Sequence, residues 1–126
     1  MAERKTIGVW ISTVLVAAVY CAAAYGKLSG VQEMVDNFHR WGFSNELRLF
    51  VGSAELIGAL GLLIPATATL AASGLSVIMV GAIFTHLANH EGPMALVPLV
   101  LLCLVLWIAY RRRDAVGSWL GAAEAH

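Results

Sequence analysis

The chain reads as an all-α protein, a transmembrane four-helix bundle with a short amphipathic interfacial helix between its first and second long helices. Three observations predict this. Of its 126 residues, 60% are hydrophobic and 13% charged, against about 25% charged in an ordinary soluble domain. The apolar residues gather into four runs of near-spanning length. The second run carries a carboxylate, Glu55, among the small residues Gly52, Gly58 and Ala59. Small residues on one helix face let a neighbouring backbone approach, so this face packs against other helices and hides its charge there. At this length one domain, 1–126, is expected.

The first span is expected at about 7–26. Its apolar run, from Ile7 to Ala24, exceeds the roughly 7–15 residues of a signal-peptide core. Further spans follow it, which favours a membrane helix over a cleaved leader despite the small residues Ala22 to Ala24. Lys27 closes this span, with Tyr20 and Ala23 on the same helical face. A lysine there serves either as a snorkelling anchor or as the partner of a buried acid.

Ser29 to Trp41 predicts the amphipathic helix. Val31, Met34, Val35 and Phe38 make its apolar face, and Ser29 with Gln32 fits a capping box. Gly42 is the expected stop, and Trp41 and Phe43 are expected interfacial anchors. Ser44 or Asn45 then caps the second span, about 46–64, which Pro65 ends. The short link after Pro65 makes a tight antiparallel hairpin with the third span, about 67–88, where Gly74, Gly81 and Ala82 are expected close-packing positions. The fourth span is about 94–110, with Pro98 in its first turns and Trp107 and Tyr110 at the interface. Residues 111–126 form a polar tail, on which Val116, Trp119 and Leu120 are expected to rest at the surface.

Four spans put both termini on one side. That side carries Arg4, Lys5, Arg111, Arg112 and Arg113, whereas the other carries Lys27, Arg40 and Arg48. The positive-inside rule therefore predicts cytoplasmic termini. The formal net charge of zero gives no electrostatic case for nucleic acid. Cys21 and Cys103 lie inside apolar runs and form no CxxC pair or zinc spacing; buried thiols with no disulfide between them are expected.

The same topology gathers Tyr20, Lys27, Glu55 and His86 in the non-cytoplasmic half. Counted from the expected span ends at 1.5 Å per residue, Glu55 lies about 12 Å deep and Tyr20 about 9 Å. Tyr20 is therefore the easier partner for Glu55, and Lys27 needs a long reach or staggered helices. An ionisable residue in a span is a functional candidate by default, so these four are the expected ligand-binding residues. His86, His90 and Glu91 have some metal-ligand character, but they lie at a membrane surface and no metal site is expected.

The order Gly26-Lys27-Leu28 after a first span, an amphipathic link with Phe38 and Gly42-Phe43, Glu55-Leu56-Ile57-Gly58-Ala59-Leu60-Gly61-Leu62-Leu63, and a third span ending Ala82-Ile83-Phe84-Thr85-His86 resembles the DoxX-like family of small four-helix membrane proteins. The resemblance runs from about Ile7 to Tyr110. It implies a bacterial inner-membrane bundle, with some relatives in quinone-linked sulfur oxidation systems or associated with redox complexes. It assigns no catalytic residue, and raises the weight of Lys27, Glu55 and His86 as one site.

Four functions compete. The favoured one is a binding or accessory protein whose polar cluster holds a small apolar molecule, with a quinone as candidate, or docks a redox partner. A second is an oxidoreductase in its own right, for which the sequence offers no resident cofactor. A third is a small-solute transporter, which four spans without broken helices serve only as an oligomer. The fourth is a structural bundle in which the polar residues satisfy one another.

Overall fold

The computed structural model describes residues 2–115, and among them the secondary structure is entirely helical. Helix α1 covers Ala2–Ser29, α2 Gln32–Arg40, α3 Asn45–Leu62 and α4 Ala68–Ala88. A 3₁₀ turn at Gly92–Ala95 leads into α5, Leu96–Arg111. The expected surface contacts of Val116, Trp119 and Leu120 lie outside the described residues.

Three segments are long and apolar enough to cross a membrane: Ile7–Ser29, Ala68–Ala88 and Gly92–Arg111. Helix α3, where a fourth span is expected, is not among them. Its 18 residues rise about 27 Å, close to the roughly 30 Å of a hydrocarbon core, but Glu46, Arg48 and Glu55 interrupt them.

The long helices close a ring of neighbours, with α1 against α3, α3 against α4, α4 against α5 and α5 against α1. Val16, Ala17, Tyr20, Ala59, Leu62, Ala72, Leu75, Met79, Val105 and Ile108 form the core between them. Large apolar residues such as Leu15, Phe50, Ile57, Val77, Phe84 and Val97 point outward. An inside made of small residues and an outside made of large aliphatic ones suits helices that meet lipid rather than water.

Two glycines of α3 set its distance from its neighbours. A Cβ on Gly58 would lie 2.7 Å from the Leu75 side chain of α4, and one on Gly61 would lie 2.9 Å from Ala71 Cβ. Gly74 and Gly81 behave otherwise. A Cβ at either would meet nothing within 4 Å, so the close-packing role expected of them falls to Ala68 and Ala72, which are fully buried.

The connections are held by local bonds. Helix α1 runs through Lys27 to Ser29, and Gly30 turns the chain with φ +74°. The expected capping box is replaced: Val31 occupies the N-cap of α2 with no side-chain bond, and the Ser29 hydroxyl donates to the Tyr25 carbonyl at 2.6 Å. The extra turn of α1 has recruited that serine. Gly42, at φ +83°, ends the α2 segment as expected, and Ser44 Oγ accepts from the Leu47 amide at 3.1 Å to cap α3. The Thr67 hydroxyl closes the α3–α4 turn by donating to the Gly61 carbonyl at 2.8 Å. Pro98 falls in the first turn of α5, where a missing N–H costs little. At the far end the Arg112 guanidinium stacks over Trp10 of α1 at 4.8 Å, which puts the start of α1 beside the end of α5.

Candidate functional site

The polar centre is built where α1 and α3 come closest. A Cβ on Gly52 would lie 2.9 Å from Lys27 Cβ and 3.1 Å from Leu28 Cγ. With no side chain at Gly52, the two backbones approach until Lys27 stands level with it. Glu55 follows three residues later on the same helical face. Lys27 Nζ and Glu55 Oε1 lie 2.8 Å apart, with side-chain exposures of 12% and 3%. The separation is that of an ion pair, but that oxygen has no bond of hydrogen-bonding geometry.

Depth counting from the expected span ends favours Tyr20 over Lys27 as the partner of Glu55; the structure shows Lys27 in contact. Two features account for the difference. Helix α1 continues past Gly26, so Lys27 sits in a regular turn rather than in a loop. The absence of a side chain at Gly52 lets it stand beside α3. Tyr20 is fully buried in the core cluster, and its hydroxyl has no hydrogen-bond partner among the described residues. It stands seven residues before Lys27 on the same face of α1.

Arg48 is a member of this region that the sequence reading leaves out, because it counts there only as a positive charge at the non-cytoplasmic end of the second span. It is 8% exposed, and its Nη1 donates to the Lys27 carbonyl. It thus satisfies one of the free carbonyls at the end of α1 and places positive charge at the negative end of that helix's dipole. Helical spacing carries the signal that would have found it. Arg48, Gly52 and Glu55 stand at i, i+4 and i+7 on one face.

His86 takes part in a different cluster. Its Nδ1 lies 3.1 Å from Glu91 Oε1, and its ring meets Trp41 edge-on at 5.4 Å. Trp41 Nε1 donates to Glu91 Oε1 at 2.9 Å and Arg40 Nη2 donates to Glu91 Oε2 at 2.7 Å. Phe38 and Phe43 pack around the Trp41 ring at centroid distances of 5.4 and 6.4 Å. One carboxylate in the α4–α5 turn therefore ties down the end of α2. The hydrogen bond with His86, then those from Trp41 and Arg40 and the charge of Arg40, hold the Glu91 carboxyl below its ordinary range. His90, at φ +60°, sits in the same turn. Among the described residues no group of three or more His, Cys, Asp and Glu side chains is placed to hold a metal. Cys21 and Cys103 are free thiols, but neither is buried as expected: Cys21 is partly buried and Cys103 is exposed on the outer face of α5.

An apolar groove of about 500 Å³ runs along the α1–α3 seam, lined by Cys21, Ala24, Tyr25, Leu28, Ser29 and Leu56. Chemically, this part of the bundle combines an internal ion pair, a buried phenol without a partner among the described residues, and an open apolar groove that Tyr20, Lys27 and Glu55 do not line.

The chain matches the DoxX-like family over residues 11–108, a stretch that takes in every residue of both polar clusters. No curated protein and no solved structure matches it.

Proposed function

We propose, from the premise that this chain belongs to the DoxX-like family, that it is a four-span inner-membrane protein with cytoplasmic termini that holds a small apolar molecule at the Tyr20–Lys27–Glu55 centre. In this reading α3 is the remaining span. Its two acidic residues and one arginine are tolerable because Glu46 and Arg48 lie in its first turns, and Glu55 faces α1 rather than lipid.

The observation that carries the reading is the fully buried Tyr20 hydroxyl with no acceptor among the described residues, on the helical face that ends at Lys27 of an ion pair that balances its own charge. A buried donor without a partner costs about 1–3 kcal/mol. A ligand with a carbonyl acceptor relieves that cost, and a quinone has such a carbonyl on an apolar body. Lys27 and Glu55 would then bind and orient the ring's polar edge and hold or move a proton there. His86, the fourth residue of the expected site, acts in this reading through α2: together with Glu91 it fixes the Trp41 end of the helix that lies over the α1 and α3 ends. Docking of a redox partner would use this same non-cytoplasmic end, and homo-oligomers would pack through the outward aliphatic faces.

The structural alternative has one observation in its favour, that Lys27 and Glu55 neutralise each other at 2.8 Å. Extraction and mass spectrometry of molecules that co-purify with the wild type, Tyr20→Phe and Glu55→Gln separate the two. Loss of a co-purifying apolar acceptor from both variants, with folding retained, is the expected result. Identical extracts from all three proteins would leave the pair with a structural role alone.

A further inference from the structure

We propose that the α1–α3 groove is a binding site for an anionic phospholipid whose headgroup is taken by Arg48. This site uses other side chains than the Tyr20–Lys27–Glu55 centre, and it rests on the four-span reading that puts α3 in the bilayer.

The charge inventory comes first. Two charged side chains are buried where α1 meets α3, Glu55 at 3% and Arg48 at 8%, and Lys27 is partly buried at 12%. Glu55 is matched by Lys27 and Glu91 by Arg40. No carboxylate pairs with Arg48 among the described residues. Its Nη1 is satisfied by the Lys27 carbonyl, while its Nε is buried with no partner. The helix end offers Arg48 only a partial negative charge, so among the buried groups one cation is left without a full counter-charge; the other acids of this end, Glu33, Asp36 and Glu46, are exposed. A buried guanidinium with donors to spare is suited to a phosphate oxygen above other acceptors.

The groove supplies the second half of the site. Its upper wall is Leu28 and Ser29, the residues that follow the Lys27 carbonyl on which Arg48 rests. Gly30, the next residue, would bring a Cβ within 3.8 Å of Arg48 Nη1, so the guanidinium sits over this end of α1. Below, the wall descends through Tyr25, Ala24 and Cys21 with Leu56 opposite, a run of about 12 Å along the helix axis. The Ser29 hydroxyl, the polar side chain nearest the top, is turned back onto the Tyr25 carbonyl, which leaves the channel apolar. Charge at the rim and an alkyl-lined slot beneath it match a headgroup and its chain. A net-negative lipid also meets the excess cation, as a zwitterionic one does not.

The test places the wild type, Arg48→Gln, Arg48→Lys and Leu56→Trp in nanodiscs of equal parts phosphatidylglycerol and phosphatidylcholine, and counts retained lipid by native mass spectrometry. The wild type is expected to prefer phosphatidylglycerol by about fivefold, the worth of one cation beside a net-negative lipid, since the phosphate itself is common to both headgroups. Arg48→Gln should abolish the preference and Arg48→Lys should keep part of it. Leu56→Trp, which fills the slot without touching the charge, should lower retention of phosphatidylglycerol. Equal retention of the two lipids by the wild type overturns the proposal, whether or not Arg48→Gln folds. Displacement of the lipid by inorganic phosphate, beyond that by sodium chloride at equal ionic strength, would make this a soluble-anion site and overturn the lipid assignment. Loss of a co-purifying quinone in Glu55→Gln bears on the neighbouring centre alone.

Discussion

Lys27 and Glu55 meet at 2.8 Å because Gly52 has no side chain: a Cβ there would stand 2.9 Å from Lys27 Cβ. A backbone contact thus decides which charge the carboxylate sees. Removing one partner of such a pair strands the other in a low-dielectric interior, at a cost of about 3–5 kcal/mol. Lys27→Met and Glu55→Leu should each lower stability in detergent. The double variant Lys27→Met/Glu55→Leu should recover most of the loss, since an apolar pair of similar volume removes both charges. Unfolding measured across the full cycle checks this; additive losses would mean that the two residues are uncoupled.

Glycines in α3 and α4 should respond in opposite directions. Gly58→Ala pushes a methyl to within 2.7 Å of Leu75, which is itself fully buried, and overpacking of this kind costs about 1–3 kcal/mol. Gly74→Ala meets nothing within 4 Å and replaces the poorest ordinary helix former with the best, a gain of up to ~1 kcal/mol. Melting temperatures of the two variants should therefore fall on opposite sides of the wild type.

The α2 attachment should be sensitive to acid. The folded Glu91 carboxyl titrates below its ordinary value of about 4.5, because the charged form is bonded by His86, Trp41 and Arg40. A group whose folded pKa is depressed contributes fully above its unfolded value and loses that contribution as pH falls through the folded one. The attachment should therefore be intact at neutral pH and weaken as pH falls from about 4.5 toward the lower folded value, as Glu91 becomes protonated. Trp41 emission, recorded after replacement of Trp10, Trp107 and Trp119 by Phe, should change over that acid range. Glu91→Gln should flatten the transition. An unchanged transition in that variant would assign the response to another group.

Sidedness follows from the four-span reading. In a background without Cys21 and Cys103, thiol reagents applied from outside should label Asn37→Cys and fail to label Asp114→Cys until the membrane is opened. Labelling of both from one side would remove α3, or another helix, from the set of spans.

Much of this was legible in the residues themselves. The long helices follow from the apolar runs, the Ser44 cap and the Gly42 stop follow from local chemistry, and the helical spacing around Glu55 marks a packed face. Which groups touch Glu55 was less legible, because depth counted from expected span ends carries an error of several residues, and one further turn of α1 changes the neighbour. His86 and Trp41 illustrate a second limit. Each is recognisable as an interfacial residue, but their meeting depends on where α2 folds back, which no local pattern encodes. Arg48 shows a third. Its spacing to Gly52 and Glu55 was visible, yet a cation near a span end is ordinarily a water-facing anchor, and only the closeness of α1 turns it inward.

The separation of Lys27 and Glu55 along the chain has a consequence for biosynthesis. Helix α1 emerges from the ribosome before α3 and is long and apolar enough to cross a bilayer, with Lys27 at its end able to wait in the headgroup region. Helix α3 follows with three charges and falls short of that threshold. On the four-span reading its entry is assisted, since Gly52 lets it lie against α1 and Lys27 offers its acid a counterion. Recognition between the two helices would then precede full insertion of the second, making the order of synthesis part of how the bundle is specified. Lys27→Met should accordingly leave α1 inserted and increase the fraction of nascent chains in which α3 stays outside, as read by a glycosylation acceptor placed after Leu63.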